Sequence, residues 1–252
     1  MKNKTKIIGI YLASEPNGGG AYQYTLSMVE ALDSLDNNKY KIIAFCQNSN
    51  WENLLPIRFE KVTAHKPLYL KVLNRLYSYI DKSSSGLYRF ASLFNPMISK
   101  INSSSCDIII YPAQDPVAYQ VNKKSLSTIH DLMHRYEPHF KEYKNGVYEY
   151  REKHYSLLCK KSSGVLTDSR IGKLHVIESY NIDPSKVFEL PFVPPLYLLE
   201  EKQDNINDTY GLTCDYIFYP AQFWEHKNHI NLLKSLKILI KRGVYLKLVL
   251  VG

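Results

Sequence analysis

The chain has only four cysteines in 252 residues, and Cys46, Cys106, Cys159 and Cys214 stand far apart. No CxxC pair exists, so the sequence offers neither the ligand spacing of a zinc knuckle nor a redox dithiol. Isolated thiols of this kind read as buried groups in a reducing cytosol. Long apolar runs are missing too. No stretch approaches the roughly 20 residues of a membrane-spanning helix, which leaves any membrane contact peripheral. Lys2, Lys4 and Lys6 before IIGIYLA imitate a signal peptide. The apolar run is short, however, and passes into a glycine loop, so it reads as a first strand.

Acidic residues nearly vanish between 66 and 100, where Lys66, Lys71, Arg75, Lys82, Arg89 and Lys100 face Asp81 alone. Much of the net charge of +8 therefore sits in one segment, interleaved with Tyr69, Tyr77, Tyr79, Tyr88, Phe90 and Phe94. Basic residues mixed with aromatics suit nucleic acid, or an anionic bilayer with the apolar face dipped in. A pair of ordinary helices with solvated charges fits equally well. No recognised nucleic-acid motif accompanies the charge, so nucleic acid is not an expected partner, whereas peripheral membrane contact through 66–100 stays open.

What is present argues for a globular α/β protein. A hydrophobic share of 45% is ordinary for a folded chain, and the length gives room for one well-buried domain and part of another. The 21 tyrosines suit half-wet cores as well as sugar-binding surfaces. Strand and helix signals alternate. Strands are expected at 6–13, 40–46, 106–114, 126–132, 164–169 and 186–191. Helices are expected after the glycines at 18–20, where Leu26, Val29, Leu32 and Leu35 recur every three residues, and at 146–160 and 170–180. Nearly continuous apolar strands separated by helices predict a parallel sheet covered on both faces. PFVPP at 191–195 ends that series and the polar EEKQDNIND at 200–208 reads as a linker. The expected domains are therefore 1–195, a linker at 196–209, and the start of a second domain at 210–252. One echo accompanies this division: DIIIYPAQ at 107–114 and DYIFYPAQ at 215–222 each place Tyr-Pro-Ala-Gln at the carboxyl end of an apolar strand.

Four segments carry chemistry. Gly18, Gly19 and Gly20 lie where a strand hands over to a helix, so the backbone can approach a ligand and the helix can direct N–H groups at an anion. The spacing is not GxGxxG, and a ligand-free turn is the alternative. In IHDLMHRYEPHF, His130 and Asp131 follow the apolar residues of a strand and should project from the sheet's carboxyl edge, where open α/β sheets bind ligands. They could hydrogen-bond sugar hydroxyls, or His130 could be a structural histidine. A metal site of His130, Asp131 and His134 is the weaker reading, because HDxxH is not HExxH and no carboxylate cluster adjoins it. Asp168 and Ser169 end another strand, as helix N-caps or as groups facing an acceptor. Finally, DYIFYPAQFWEHKNH at 215–229 carries Gln222 in the loop after a strand and brings Lys227 and Asn228 to the mouth of a helix. A lysine conflicts with the helix dipole there, unless it meets a phosphate.

Together GGGAYQYT, IHDLMHRYEPHF, LTDSRIGKLHVIESY and FYPAQFWEHKNHINLL, in that order across nearly the whole chain, resemble the family 4 glycosyltransferases. These are retaining, nucleotide-sugar-dependent enzymes of the GT-B fold, and the likeness leans toward the bacterial branch that adds mannose, rhamnose or similar sugars to surface polysaccharides. The resemblance implies an α/β chain of GT-B type with one complete Rossmann-like domain and the first βαβ of a second. It implies that Gly18 and Gly19 approach the donor diphosphate, that His130 contacts the donor sugar near the reacting carbon, and that Lys227 neutralises the pyrophosphate leaving group. Gly20, Asp131, Asp168, Ser169, Gln222 and Asn228 are candidates for further substrate contacts. No metal and no cofactor is implied beyond the donor substrate, a GDP-, UDP- or dTDP-linked sugar; the acceptor would be lipid-linked or a polysaccharide. The expected location is the cytoplasm, with the inner face of the membrane as an open alternative.

The sequence departs from the family in two places. Gln222 stands where many relatives carry arginine, and the paired glutamates of the family fall beyond Gly252. The chain is thus expected to be truncated in its donor domain and to have little activity alone. The alternative is a non-catalytic acceptor-binding or membrane-associated module that works through the basic, tyrosine-rich segment. LKLVLV at 246–251 is expected to form an apolar edge strand that lowers solubility.

Overall fold

The computed structural model describes residues 5–15, 19–64, 94–194, 206–212 and 214–252. Gly18 and most of the basic segment, residues 65–93, lie outside them. The chain divides into two compact units, Met1–Leu132 with Glu152–Leu199, and Met133–Arg151 with Glu200–Gly252.

The first unit is built on seven strands, β1 (Lys6–Leu12), β2 (Tyr40–Cys46), β3 (Glu60–Thr63), β4 (Ile108–Tyr111), β5 (Ser125–Thr128), β6 (Gly164–Thr167) and β7 (Val187–Glu189). They form one sheet in the order β3-β2-β1-β4-β5-β6-β7, and every neighbouring pair is parallel. The order reverses between β1 and β4, so the connections leaving those two strands diverge and open a crevice at the carboxyl edge. Its helices are α1 (Gly20–Asp33), α2 (Pro96–Ser103), α3 (Val147–Lys161) and α4 (Arg170–Tyr180).

Because side chains alternate across a strand, the inner strands feed two cores. Ile10, Leu12, Ile42 and Ala44 pack with Tyr24, Met28, Val29 and Leu32 of α1 on one face. Tyr11, Ile43, Phe45, Ile109 and Tyr111 pack on the other with Met97, Ile98 and Ile101 of α2, Tyr155 and Leu158 of α3, and Val176 of α4. The buried stripe of α1 differs from the expected one: Tyr24, Thr25, Met28, Val29 and Leu32 are buried, while Leu26 and Leu35 only flank the core. Inside β1, a Cβ added at Gly9 would lie 2.5 Å from Ile109 Cδ1 and 3.0 Å from Phe45 Cε2, so any larger residue there must displace neighbouring side chains.

Helix ends follow their capping chemistry. Asn95 caps α2 by accepting from Met97 N, with Pro96 in the first turn, and Ser169 caps α4 by accepting from Gly172 N. The described end of the basic segment is an ordinary core helix, with Met97 and Ile98 buried and Lys100 Nζ donating to Thr63 O at 2.7 Å. The sequence did not predict β3, and it offered helix for the start of α2 only as one of the readings of 66–100; β5 stops at Thr128, short of the expected end at 132.

The second unit contains a βαβ motif of β8 (Tyr216–Pro220), α5 (His229–Lys241) and β9 (Lys247–Val251). The two strands pair in parallel from Tyr216↔Lys247 to Pro220↔Val251. No residue of α5 is buried, and Ile230, Leu233, Ile238 and Ile240 are exposed. Among the described residues no helix is long and apolar enough to cross a membrane.

Candidate active site

At the carboxyl edge of the first unit, four segments converge on His130. The imidazole follows β5, and its Nδ1 lies 3.0 Å and 3.2 Å from the two carboxylate oxygens of Asp168, which follows β6. Tyr24, from the second turn of α1, sets its ring edge-on to the imidazole at 5.1 Å. Phe192, beyond β7, lies 5.9 Å from His130 and 4.8 Å from Tyr24 between ring centres. The Tyr24 hydroxyl donates to Leu190 O at 3.1 Å and so ties α1 to that last segment. Burial, followed by the nearby Asp168 carboxylate, pushes the Tyr24 hydroxyl far up and keeps it protonated.

The carboxylate fixes the role of one nitrogen of His130. A carboxylate only accepts, so Nδ1–H donates to Asp168, and in the neutral imidazole Nε2 is then the acceptor. Nε2 is buried and has no hydrogen-bond partner among the described residues. An acceptor left in that state costs about 1–3 kcal/mol, which a hydroxyl donor from a ligand would relieve.

Gly19 stands before the first turn of α1 with φ of 61°, a conformation that glycine adopts without strain. A side chain added at Gly19 or Gly20 would meet nothing within 4 Å. The helix has no acidic residue in its first turn, so its N-terminal N–H groups present an uncompensated positive end to that space. The loop before it is anchored: Trp51 Nε1 donates to Ser14 O at 2.7 Å, Ser14 Oγ donates to Thr25 Oγ1 at 3.2 Å, and Asn48 and Asn50 both donate to the Glu15 carboxylate. Tyr24 and Thr25 lie within GGGAYQYT, but their types there do not announce these contacts, and Ser14, Glu15, Asn48, Asn50, Trp51 and Phe192 belong to none of the motifs that carry chemistry. A buried tyrosine one turn and a half after a glycine loop looks like core until its neighbours are known.

The other candidates separate in role. Ser169 caps α4 and is exposed, whereas Asp168 leaves the cap to it and turns to His130. Asp131 is half-buried next to His130, and His134 is buried in the second unit beside the rings of Tyr143 and Tyr148. Among the described residues no group of three or more His, Cys, Asp or Glu side chains could hold a metal ion. The two Tyr-Pro-Ala-Gln segments also diverge. Gln114 is bonded inside the first unit, through its carbonyl to His154 Nε2 and its side chain to the Tyr155 hydroxyl; Gln222 is exposed.

In the second unit, Lys227 ends a tight turn, Glu225–Lys227, and its carbonyl accepts from the Tyr219 hydroxyl at 2.7 Å. Its side chain is exposed. Asn228 has φ of 58° and joins the turn to α5, but its side chain makes no capping hydrogen bond, unlike the cap expected from its residue type. Nor does the first turn of α5 contain an acidic residue.

No family model matches the chain, and no curated protein matches it in sequence. Solved structures do match. A glycosyltransferase from Rickettsia africae aligns with TM-score 0.54 and 14% identity over 97% of this chain and 60% of its own. HepE from Anabaena, solved in complex with UDP, aligns with TM-score 0.51 and 13% identity over 98% of this chain and 70% of its own. A UDP-GlcNAc 2-epimerase from Methanocaldococcus jannaschii aligns with TM-score 0.51 and 14% identity over 96% of this chain and 65% of its own. The chain thus spans 60 to 70% of the length of these proteins. At such identities the likeness speaks for the fold, which is the α/β fold of GT-B type: a Rossmann-like parallel sheet followed by a βαβ unit.

Proposed function

We propose that the chain belongs to a retaining glycosyltransferase of family 4 type that moves a sugar from a nucleotide-sugar donor to a lipid-linked or polysaccharide acceptor in the cytoplasm. The observation that carries this reading is His130: an imidazole locked by Asp168, with a buried and unpartnered Nε2, at the crevice of a GT-B sheet. Nε2 would accept a hydrogen bond from a donor-sugar hydroxyl near the reacting carbon. Phe192, half exposed above the imidazole, would turn aside to admit it. The N-terminal N–H groups of α1 beyond Gly19 would face the diphosphate, and Lys227 would neutralise the charge that develops on the leaving group. Gly18, Gly20, Asp131, Ser169, Gln222 and Asn228 would line the same substrates.

Titration with UDP, GDP and dTDP, then with their sugar conjugates, tests the reading. One nucleoside diphosphate should bind, and its sugar conjugate should bind more tightly. In H130A the advantage of the sugar conjugate should fall by about tenfold, the scale of one lost hydrogen bond, while binding of the free diphosphate stays unchanged. Binding of none of them, or equal loss for both kinds of ligand, overturns the reading.

A further inference from the structure

Lys227 is exposed, yet the backbone that presents it is held from both sides, and one of the holds comes from a distant part of the chain. Glu142 lies in the turn Lys141–Tyr143, 84 residues before His226. A single oxygen, Glu142 Oε1, accepts from His226 N at 3.3 Å and pairs with His226 Nδ1 at 3.0 Å. In return Lys141 N donates to Glu225 Oε2 at 3.3 Å. Each turn therefore supplies a carboxylate to a backbone N–H of the other. The rings of Trp224 and Phe140 flank the imidazole at 5.4 Å and 5.9 Å, and the two paired side chains are only 18% and 20% exposed. Hydrogen bonds from its own backbone N–H and from His226 hold the Glu142 carboxyl below its ordinary range, so Glu142 presents an ionised acceptor to His226 N and Nδ1 at neutral pH. Beyond His226, the Tyr219 hydroxyl holds the Lys227 carbonyl.

We infer that Glu142 is a positioning residue for Lys227, acting through His226 to fix the turn from which the lysine meets the donor diphosphate. This rests on the function proposed above. A lysine on a free loop loses conformational entropy when it binds phosphate; one on a clamped turn has lost part of that entropy during folding. Nothing in the local sequence of either turn requires the pairing, and Glu142 makes no contact with the donor in this scheme.

Two measurements test it. Hydrogen exchange of E142A should show faster exchange at residues 225–228, with the strands of the first unit unchanged; unchanged exchange at 225–228 overturns the clamp. Titration with UDP, GDP and dTDP should show E142A weakening the bound nucleoside diphosphate by about tenfold, with E142Q, which still accepts from His226 N, weakening it less. The decisive comparison is a double-mutant cycle. If Glu142 works through Lys227, then E142A adds no further loss on top of K227A, whereas additive losses overturn the positioning role. Should the unaltered chain bind none of the three, the glycosyltransferase reading fails and takes the role of Lys227 with it. The exchange result still decides separately whether the clamp exists.

Discussion

At the scale of single residues, Asp168 shows how much one acceptor can decide. A carboxylate there accepts only, which calls for a proton on Nδ1 of His130 and, in the neutral imidazole, leaves Nε2 as an acceptor. An amide of the same shape can donate instead, which would move the imidazole proton to Nε2. D168N should therefore reproduce the sugar-specific loss of H130A, with the melting temperature nearly unchanged. Equal sugar affinity in D168N and the unaltered chain would count against the tautomer argument. The cysteines correct a simpler expectation, that all four thiols are buried: Cys46, Cys106 and Cys159 are buried, but Cys214 is exposed. Burial pushes the Cys46 thiol up to about 11 and the Cys159 thiol to about 12, so both stay protonated and slow to react at neutral pH. A disulfide reagent applied to the folded chain at pH 8 should titrate one thiol rapidly and the other three only after denaturation.

At the scale of elements, legibility follows how local the cause is. β1, β2, β6 and α4 were readable because contiguous Ile, Val and Leu residues or a Ser cap lie inside the segment itself. The short β3, EKVT, carries two exposed charges and owes its place to pairing with β2. Similarly, α2 was hidden because its apolar residues sit at the end of a basic stretch. Gly9 is a further case: within KIIGIYL it reads as a weak point of the strand, and only the approach of Ile109, Phe45 and Cys106 explains it. G9A should lower stability by about 1–3 kcal/mol through overpacking, as measured by denaturant unfolding. A neutral or stabilising result would mean that Ile109 swings aside freely. Of the candidate site, His130 was legible as a residue type at a strand end and Lys227 as one at the mouth of a helix. Their partners Tyr24, Phe192 and Glu142 were not, since those contacts span tens of residues and have no spacing to betray them.

At the scale of the whole molecule, the two units differ in how much of their apolar surface is covered. The sheet of the first unit is packed on both faces, while in the second Phe218, Ile230, Leu233 and Val251 stay exposed and β8 and β9 pair only with each other among the described residues. Open strand edges and apolar faces invite association between chains. The chain should accordingly show concentration-dependent light scattering that L248K on β9 reduces; scattering that is absent, or indifferent to the lysine, would contradict this. The central position of β1 has a consequence of another kind. It pairs with β2 within about thirty residues, but its other neighbour is β4, and Ile8 meets Ile108 across one hundred residues. At a synthesis rate of 5–20 residues per second, one side of this interior strand waits about 5 to 20 s for its partner to leave the ribosome. During that interval KIIGIYL is the stretch a chaperone would be expected to shield.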